Sequence, residues 1–212
     1  FDGLSTAADV DAEFVNGAQA VVRKLAAALS RAGQPAGTVE ATANFDVKKN
    51  AGTVSAKVAN LNEQLLRPVL APSLGEMKLQ SASISLTLDA NYNPAAESPV
   101  KADIQVARLH VMDPAGKVPN VPLDLRIVTD ALIRQPATNQ MLVTVKQLAG
   151  ALNANGKPGG GFDITGNFDS KAFAGAATVK LTDFNEALLG PVLASALTNL
   201  GPGVRLATAS VN

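Results

Sequence analysis

Thr38-Val39-Glu40-Ala41-Thr42-Ala43-Asn44-Phe45-Asp46 is the stretch that decides the fold. Val39, Ala41, Ala43 and Phe45 alternate with polar residues, a period of two that gives a β-strand one apolar and one polar face. Asn50-Ala51-Gly52 supplies a turn, and Val54, Ala56 and Val58 resume the alternation, so the segment reads as a hairpin. At an offset of 123 residues the same pattern returns through Phe162, Ile164 and Phe168, then Val179 and Leu181.

That offset extends well beyond the hairpin. Laid over 148–197 without a gap, residues 25–74 are identical at 24 of 50 positions. A match of that density marks an internal duplication. Three blocks carry it. Leu25-Ala26-x-Ala28-Leu29 and Gly33-x-Pro35-x-Gly37 lie over Leu148-Ala149-x-Ala151-Leu152 and Gly156-x-Pro158-x-Gly160. Asn44-Phe45-Asp46 and Ala51-Gly52 lie over Asn167-Phe168-Asp169 and Ala174-Gly175. Asn62-Glu63-x-Leu65-Leu66-x-Pro68-Val69-Leu70-Ala71 lies over Asn185-Glu186-x-Leu188-Leu189-x-Pro191-Val192-Leu193-Ala194. After a four-residue insertion, Lys78-Leu79-x-x-Ala82-Ser83 falls over Arg205-Leu206-x-x-Ala209-Ser210. The expected organisation is a first repeat over 1–123 and a second, truncated one over 124–212. Counterparts of 86–123 are missing, so a longer parent is expected to continue past Asn212.

Strand signals dominate elsewhere. Ala82, Ile84, Leu86, Leu88 and Ala90 alternate with Ser, Thr and Asp, and Val121, Leu123, Leu125 and Ile127 make another strand. Val100, Ala102, Ile104 and Val106 begin a strand whose pattern slips to Ala107, Leu109 and Val111, the signature of a bulge. Residues 18–32 taken alone resemble a helix, but their counterpart 141–155 holds Val143-Thr144-Val145 and Gly150, so both read as strand. One helix per repeat is expected, near 61–74 and 184–197. Leu61, Leu65, Val69 and Leu70 stand at helical spacing, with Asn62 and Asn185 as N-caps. Pro68 and Pro191 lie too deep for a regular helix, so either a kink or a second helix starting at proline is expected. Its structural job would be to cap one end of the apolar sheet face. The fold class is therefore mainly β with a few short helices, its antiparallel sheet or sheets forming an elongated groove or a sandwich.

Composition narrows function. The 212 residues carry 18 Lys+Arg against 18 Asp+Glu, and zero net charge argues against a nucleic-acid partner, which is bound by releasing counterions from phosphates. Cysteine and tryptophan are absent, leaving no disulfide framework. No run approaches the roughly 20 apolar residues of a membrane-spanning helix. No signal peptide is visible, and a start at Phe1 points to a processed product or excised piece.

Catalytic and metal motifs are weak. His110 stands without a carboxylate or Ser at motif spacing. Asp9-x-Asp11 and Asn153-x-Asn155-Gly156 lack the terminal acid of a calcium loop and read as turns. The glycine-rich run 156–161 lacks the phosphate-loop pattern and reads as a hairpin turn. Ser98-Pro99-Val100-Lys101 has bare Ser-x-x-Lys spacing without its companion motifs. Asp46 and Asp169 are expected on the polar face at strand ends. No enzyme, metal site or cofactor is expected.

The run Lys57-Val58-Ala59-Asn60-Leu61-Asn62-Glu63-Gln64-Leu65-Leu66, then Pro68-Val69-Leu70-Ala71, then Leu79-x-Ser81-Ala82-Ser83, resembles the AsmA-like family of bacterial envelope proteins. The stretch from Lys180-Leu181-Thr182-Asp183-Phe184-Asn185 to Ala194, and Gly166-Asn167-Phe168-Asp169, are similar to it too. The resemblance covers about 25–90 and 148–212. It implies a periplasmic, largely β protein with an inner-membrane-anchored parent. It also implies a twisted β-groove whose apolar floor takes phospholipid acyl chains, and it allows other envelope proteins as partners. The groove candidates are Val39, Ala41, Phe45, Val54, Val58, Ile84, Leu86, Leu88, Phe162, Ile164, Phe168, Val179 and Leu181. The alternative is a structural or protein-binding β module whose core is closed by its own helices, with Leu65, Leu66 and Leu70 interdigitating with those side chains.

Overall fold

The computed structural model describes residues 3–114, 121–183 and 209–211. They form one eleven-stranded sheet in which the strands lie in chain order. The strands are β1 (Leu4–Val15), β2 (Gln19–Arg31), β3 (Gln34–Asp46), β4 (Ala51–Asn62), β5 (Lys78–Tyr92), β6 (Ser98–Met112), β7 (Leu123–Ala137), β8 (Gln140–Ala154), β9 (Lys157–Asp169), β10 (Ala174–Thr182) and β11 (Ala209–Val211). From β1 to β10 each strand pairs antiparallel with the next, and β11 runs parallel to β10. The one helix among the described residues, α1 (Glu63–Leu74), lies between β4 and β5. The helix expected at 184–197 falls outside the described residues.

The mainly β expectation holds, and strands β2 and β8 occupy nearly all of 18–32 and 141–155. Three expectations need correction. No sandwich forms among the described residues: their strands make one sheet with contacts mainly between consecutive strands, and α1 packs on β3, β4 and β5, with Arg31 of β2 reaching its Gln64 carbonyl. Asp9 and Asp11 sit in the middle of β1 rather than in a turn. Their neighbours Ala8, Val10, Ala12 and Phe14 supply the alternating apolar face of a strand. Of the glycine-rich run, only Gly156 belongs to the turn, where Asn155 and Gly156 both have positive φ, 50° and 73°. The remaining glycines continue β9.

The residues that recur at the 123-residue offset have local reasons. Pro35 and Pro158 stand opposite Ser30 and Asn153, each beside a register shift, where a missing N–H costs the ladder least. Gly37 and Gly160 follow at φ 149° and 122°. Ala43↔Val54 in β3–β4 corresponds to Gly166↔Ala177 in β9–β10, and Leu25↔Ala41 to Leu148↔Ile164. The shifts between Val22 and Leu25 and between Val145 and Leu148 correspond as well. The bulge expected near Ala107 appears as a shift between Val106 and Leu109, with Arg108 at φ 53°.

α1 shows how two interior prolines are tolerated. Asn62 caps it, its Oδ1 accepting from the Gln64 N–H at 3.1 Å, while its Nδ2 donates to the Pro35 carbonyl at 3.0 Å. Pro68 has no N–H, so the carbonyl of Gln64, four residues before it, loses its helical donor. The Arg31 guanidinium donates to that carbonyl instead. Arg67 fastens the other side, donating through Nε to the Leu79 carbonyl and through Nη2 to that of Gln80, both at 3.0 Å. The helix therefore runs unbroken through Pro68 and Pro72. Arg31→Met leaves the Gln64 carbonyl short of a donor. It is expected to cost about 1–2 kcal/mol in urea unfolding and to speed amide exchange in α1 more than in β7 or β8.

Candidate functional site

Antiparallel register places directly opposed residues on one face of a sheet. Val10, Leu25, Ala41, Ala56, Leu88, Ala102, Thr129, Leu148, Ile164 and Val179 are paired in succession from β1 to β10. A second row on that face runs Ala8, Ala27, Val39, Val58, Leu86, Ile104, Ile127, Gly150, Phe162, Leu181. A third runs Ala12, Val22, Ala43, Val54, Ala90, Val100, Ala131, Val145, Gly166, Ala177. Thr129 is the only polar residue in the three rows. With strands about 4.8 Å apart, they form an apolar strip about 43 Å long.

All thirteen groove candidates lie on this face. Val39, Ala41, Val54, Val58, Leu86, Leu88, Phe162, Ile164, Val179 and Leu181 belong to the rows. Phe45 and Phe168 stand near one end of the strands, opposite Gly52 and Gly175, and Ile84 stands near the other end, opposite Leu61 and Val106. The face extends beyond those thirteen, to Val10 and Phe14 from β1, Ile104 from β6 and Ile127 from β7 among others. The alternation Ala8, Val10, Ala12, Phe14 that marks β1 is visible in the sequence.

The face is partly open to solvent. Among the described residues the buried hydrophobics are only Ala36, Leu79, Ala82 and Ala131. Val10 is 58% exposed and Phe14 62%, and Phe45, Val54 and Phe168 are exposed as well. Leu65, Leu66 and Leu70 are half-buried on α1, which packs chiefly on β5. Cross-strand fit differs along the strip. The Phe162 ring lies over Gly150, where a Cβ would stand 2.1 Å from Phe162 Cε1. Ala27 and Val39 form the corresponding pair.

The opposite face is polar. Lys24 pairs with Asp9 at 2.5 Å, Arg126 with Asp103 at 2.6 Å, Arg23 with Asp11 at 3.3 Å and with Glu13, and Lys101 with Asp130 at 3.8 Å. These exposed pairs contribute little stability each. Shallow depressions of about 420 Å³ beside Thr42, Asn44, Ser55 and Asp89, and about 460 Å³ beside Arg23, Glu40 and Lys57, lie on this polar side.

The weak catalytic motifs are not brought together. Ser98 is 4% exposed, and its Oγ accepts from the Asn93 N–H at 2.8 Å, bracing the β5–β6 turn. Lys101, three strand residues on, points to the other face and pairs with Asp130. His110 lies on β6 opposite Ser81. No group of three metal-ligating side chains occurs among the described residues. Asp46 and Asp169 do stand at strand ends. Asp46 Oδ1 accepts from the N–H groups of Lys48 and Lys49, both at 3.0 Å, and Asp169 Oδ1 from those of Lys171 at 2.8 Å and Ala172 at 3.2 Å. The Lys49 N–H holds the Asp46 carboxyl, and the Ala172 N–H that of Asp169, below the usual carboxylate range.

No family model, no curated protein and no solved structure matches the chain.

Two measurements probe this geometry. A carboxyl whose native pKa is depressed stabilises the fold above its unfolded pKa and loses that contribution as pH falls through the native value. Thermal midpoints should therefore fall below about pH 4, and the Asp46→Asn/Asp169→Asn double variant should flatten that decline. On the apolar face, Gly150→Ala should cost about 1–2 kcal/mol in urea unfolding. Adding Phe162→Val should recover most of that loss.

Proposed function

We propose that this chain is a non-enzymatic, lipid-handling segment of a bacterial envelope protein, whose apolar sheet face takes phospholipid acyl chains. The observation that carries the reading is the continuous apolar strip, exposed at Val10 and Val54, with Phe14, Phe45 and Phe168 exposed beside it on the same face. Covering such a surface is worth about 25 cal/mol per Å², whether the cover is protein or acyl chain. A strip about 43 Å long exceeds the roughly 30 Å hydrocarbon thickness of a whole bilayer, so several chains would fit across it.

The segment is built, in this reading, from two tandem copies of a unit of about 123 residues, the second incomplete. Support comes from matched registers, matched register shifts and matched positive-φ sites: Ala32 with Asn155, Asn50 with Phe173, Asn60 with Asp183. Divided this way, 1–123 and 124–212 supply successive lengths of one groove. In this reading, which follows the resemblance to the AsmA-like family, the protein works in the periplasm and its parent is anchored to the inner membrane. No helix among the described residues is long and apolar enough to cross a membrane. The alternative, a structural or protein-binding module with a closed core, requires these side chains to be buried by the chain itself. Among the described residues the scarcity of buried hydrophobics weighs against it.

Native mass spectrometry of the gently purified chain should show bound phospholipid, and the protein should take up fluorescent lipid. Leu86→Glu should abolish uptake, while its neighbour Thr87→Glu, on the polar face, should leave it unchanged. A lipid-free mass together with no uptake, or equal effects of the two substitutions, would reject the reading.

A further inference from the structure

β1 and β7 are equivalent strands. Leu4↔Arg31, Ala8↔Ala27, Val10↔Leu25, Ala12↔Val22 and Phe14↔Ala20 correspond in turn to Leu123↔Ala154, Ile127↔Gly150, Thr129↔Leu148, Ala131↔Val145 and Ile133↔Val143. The register shift between Asp11 and Ala12 recurs between Asp130 and Ala131. Leu4, Asp11 and Ala12 even keep their residue types at Leu123, Asp130 and Ala131. The two strands differ in what lies on their other side. β6 pairs with β7 antiparallel from Ser98↔Ile133 to Leu109↔Leu123. Among the described residues no strand pairs with the outer edge of β1, whereas at the far end of the sheet β11 covers 179–181 of β10. β1 is nevertheless built like an interior strand. It holds no Pro and no Lys, the residues that commonly blunt an edge. Its apolar face does not shrink toward the edge, since Val10 and Phe14 are both exposed there.

We propose that the outer edge of β1 takes up an antiparallel strand from a partner protein, a strand built on the pattern of β6. Main-chain pairing with an open edge supplies the affinity of such an addition, and alternate side chains supply its specificity. The β6–β7 ladder fixes the register. Carried over to β1, the positions of Val100, Ala102 and Ile104 fall opposite Ala12, Val10 and Ala8, and that of Lys101 falls opposite Asp11. Lys101 pairs with Asp130, the counterpart of Asp11, at 3.8 Å. On the polar face of β1 the carboxylates of Asp9, Asp11 and Glu13 share two cations, Lys24 and Arg23. The partner strand is therefore apolar on one face and basic on the other, with cations opposite Asp9 and Asp11. The same carboxylates select against a second copy of the chain. Centred registers of β1 on β1 that keep apolar residues together oppose Asp9 with Asp9 or Asp11, or Asp11 with itself, and directly opposed like charges destabilise a sheet. The added strand would carry the apolar face on past β1. Backbone pairing at the edge needs no lipid, so this proposal and the acyl-chain reading fail separately.

The test uses the full chain and a fluorescein-labelled peptide of sequence 98–112 carrying Asp103→Lys, which sets a cation opposite Asp9. Fluorescence anisotropy should show saturable one-to-one binding. Amide exchange should slow in β1 and stay unchanged in β6, where it would rise if the peptide merely displaced that strand. In the chain, Asp11→Lys should weaken binding about fivefold and Asp11→Asn about twofold. A second peptide that also carries Lys101→Asp should reverse the order, binding the Asp11→Lys chain more tightly than the parent. Absence of binding, exchange that changes in β6 instead of β1, no reversal by the second peptide, or a peptide-free chain that dimerises in size exclusion through β1 would overturn the proposal. Lipid uptake by the Asp11→Lys chain should equal that of the parent, which separates loss of strand binding from loss of the acyl-chain site.

Discussion

Every strand from β2 to β9 is held by the backbone ladder to the strand before it and the strand after it, and the rest of the structure depends on that ladder. In a sandwich, a second sheet would bury one face and stabilise distant strands together. Here the neighbours in space are the neighbours in sequence. Stability therefore resides in cross-strand pairs and their ladders, as in repeat proteins whose units contact only adjacent units. The consequence is a broad apolar surface that the described part of the chain leaves partly exposed. A soluble monomer rarely keeps such a patch without a use for it.

The same constraint explains what recurs at the 123-residue offset and what varies. Recurring residues control register: the proline beside each bulge, the positive-φ glycine after it, and the Asp whose carboxylate closes the turn. A register error of one residue would turn an entire strand's apolar side chains to the polar face. Side-chain volume is freer, because among the described residues no second sheet packs against the apolar face. Ala27 with Val39 becomes Gly150 with Phe162, a redistribution of bulk within one cross-strand pair. The arginines that stabilise α1 differ more sharply, since Ala154 and Gly190 stand 123 residues beyond Arg31 and Arg67.

Legibility followed the same physics. Strands with strict alternation, such as β3 and β5, were readable because a period of two needs no knowledge of partners. β1 is masked in the sequence by Asp9-x-Asp11, a pair that by itself reads as turn chemistry. Those carboxylates in fact alternate with Val10 and Ala12, and pair with Lys24 and Arg23. Pro68 argued for a broken helix from local sequence alone. The unbroken one relies on a guanidinium from β2, 33 residues earlier in the chain than the carbonyl it serves.

The sequence by itself determined that the chain is mainly β, which side chains share a face along the strictly alternating strands, and where the α1 cap and the Asn50 and Asn155-Gly156 turns fall. Each of these follows from alternation, from positive-φ residues, or from a capping side chain within a few residues. Tertiary structure decided that the strands form one sheet in chain order rather than two packed layers. It also decided that α1 is reinforced by Arg31, and that β1 stands at an edge of the sheet. Those outcomes depend on inter-strand register and on partners distant in sequence, and a local pattern records neither.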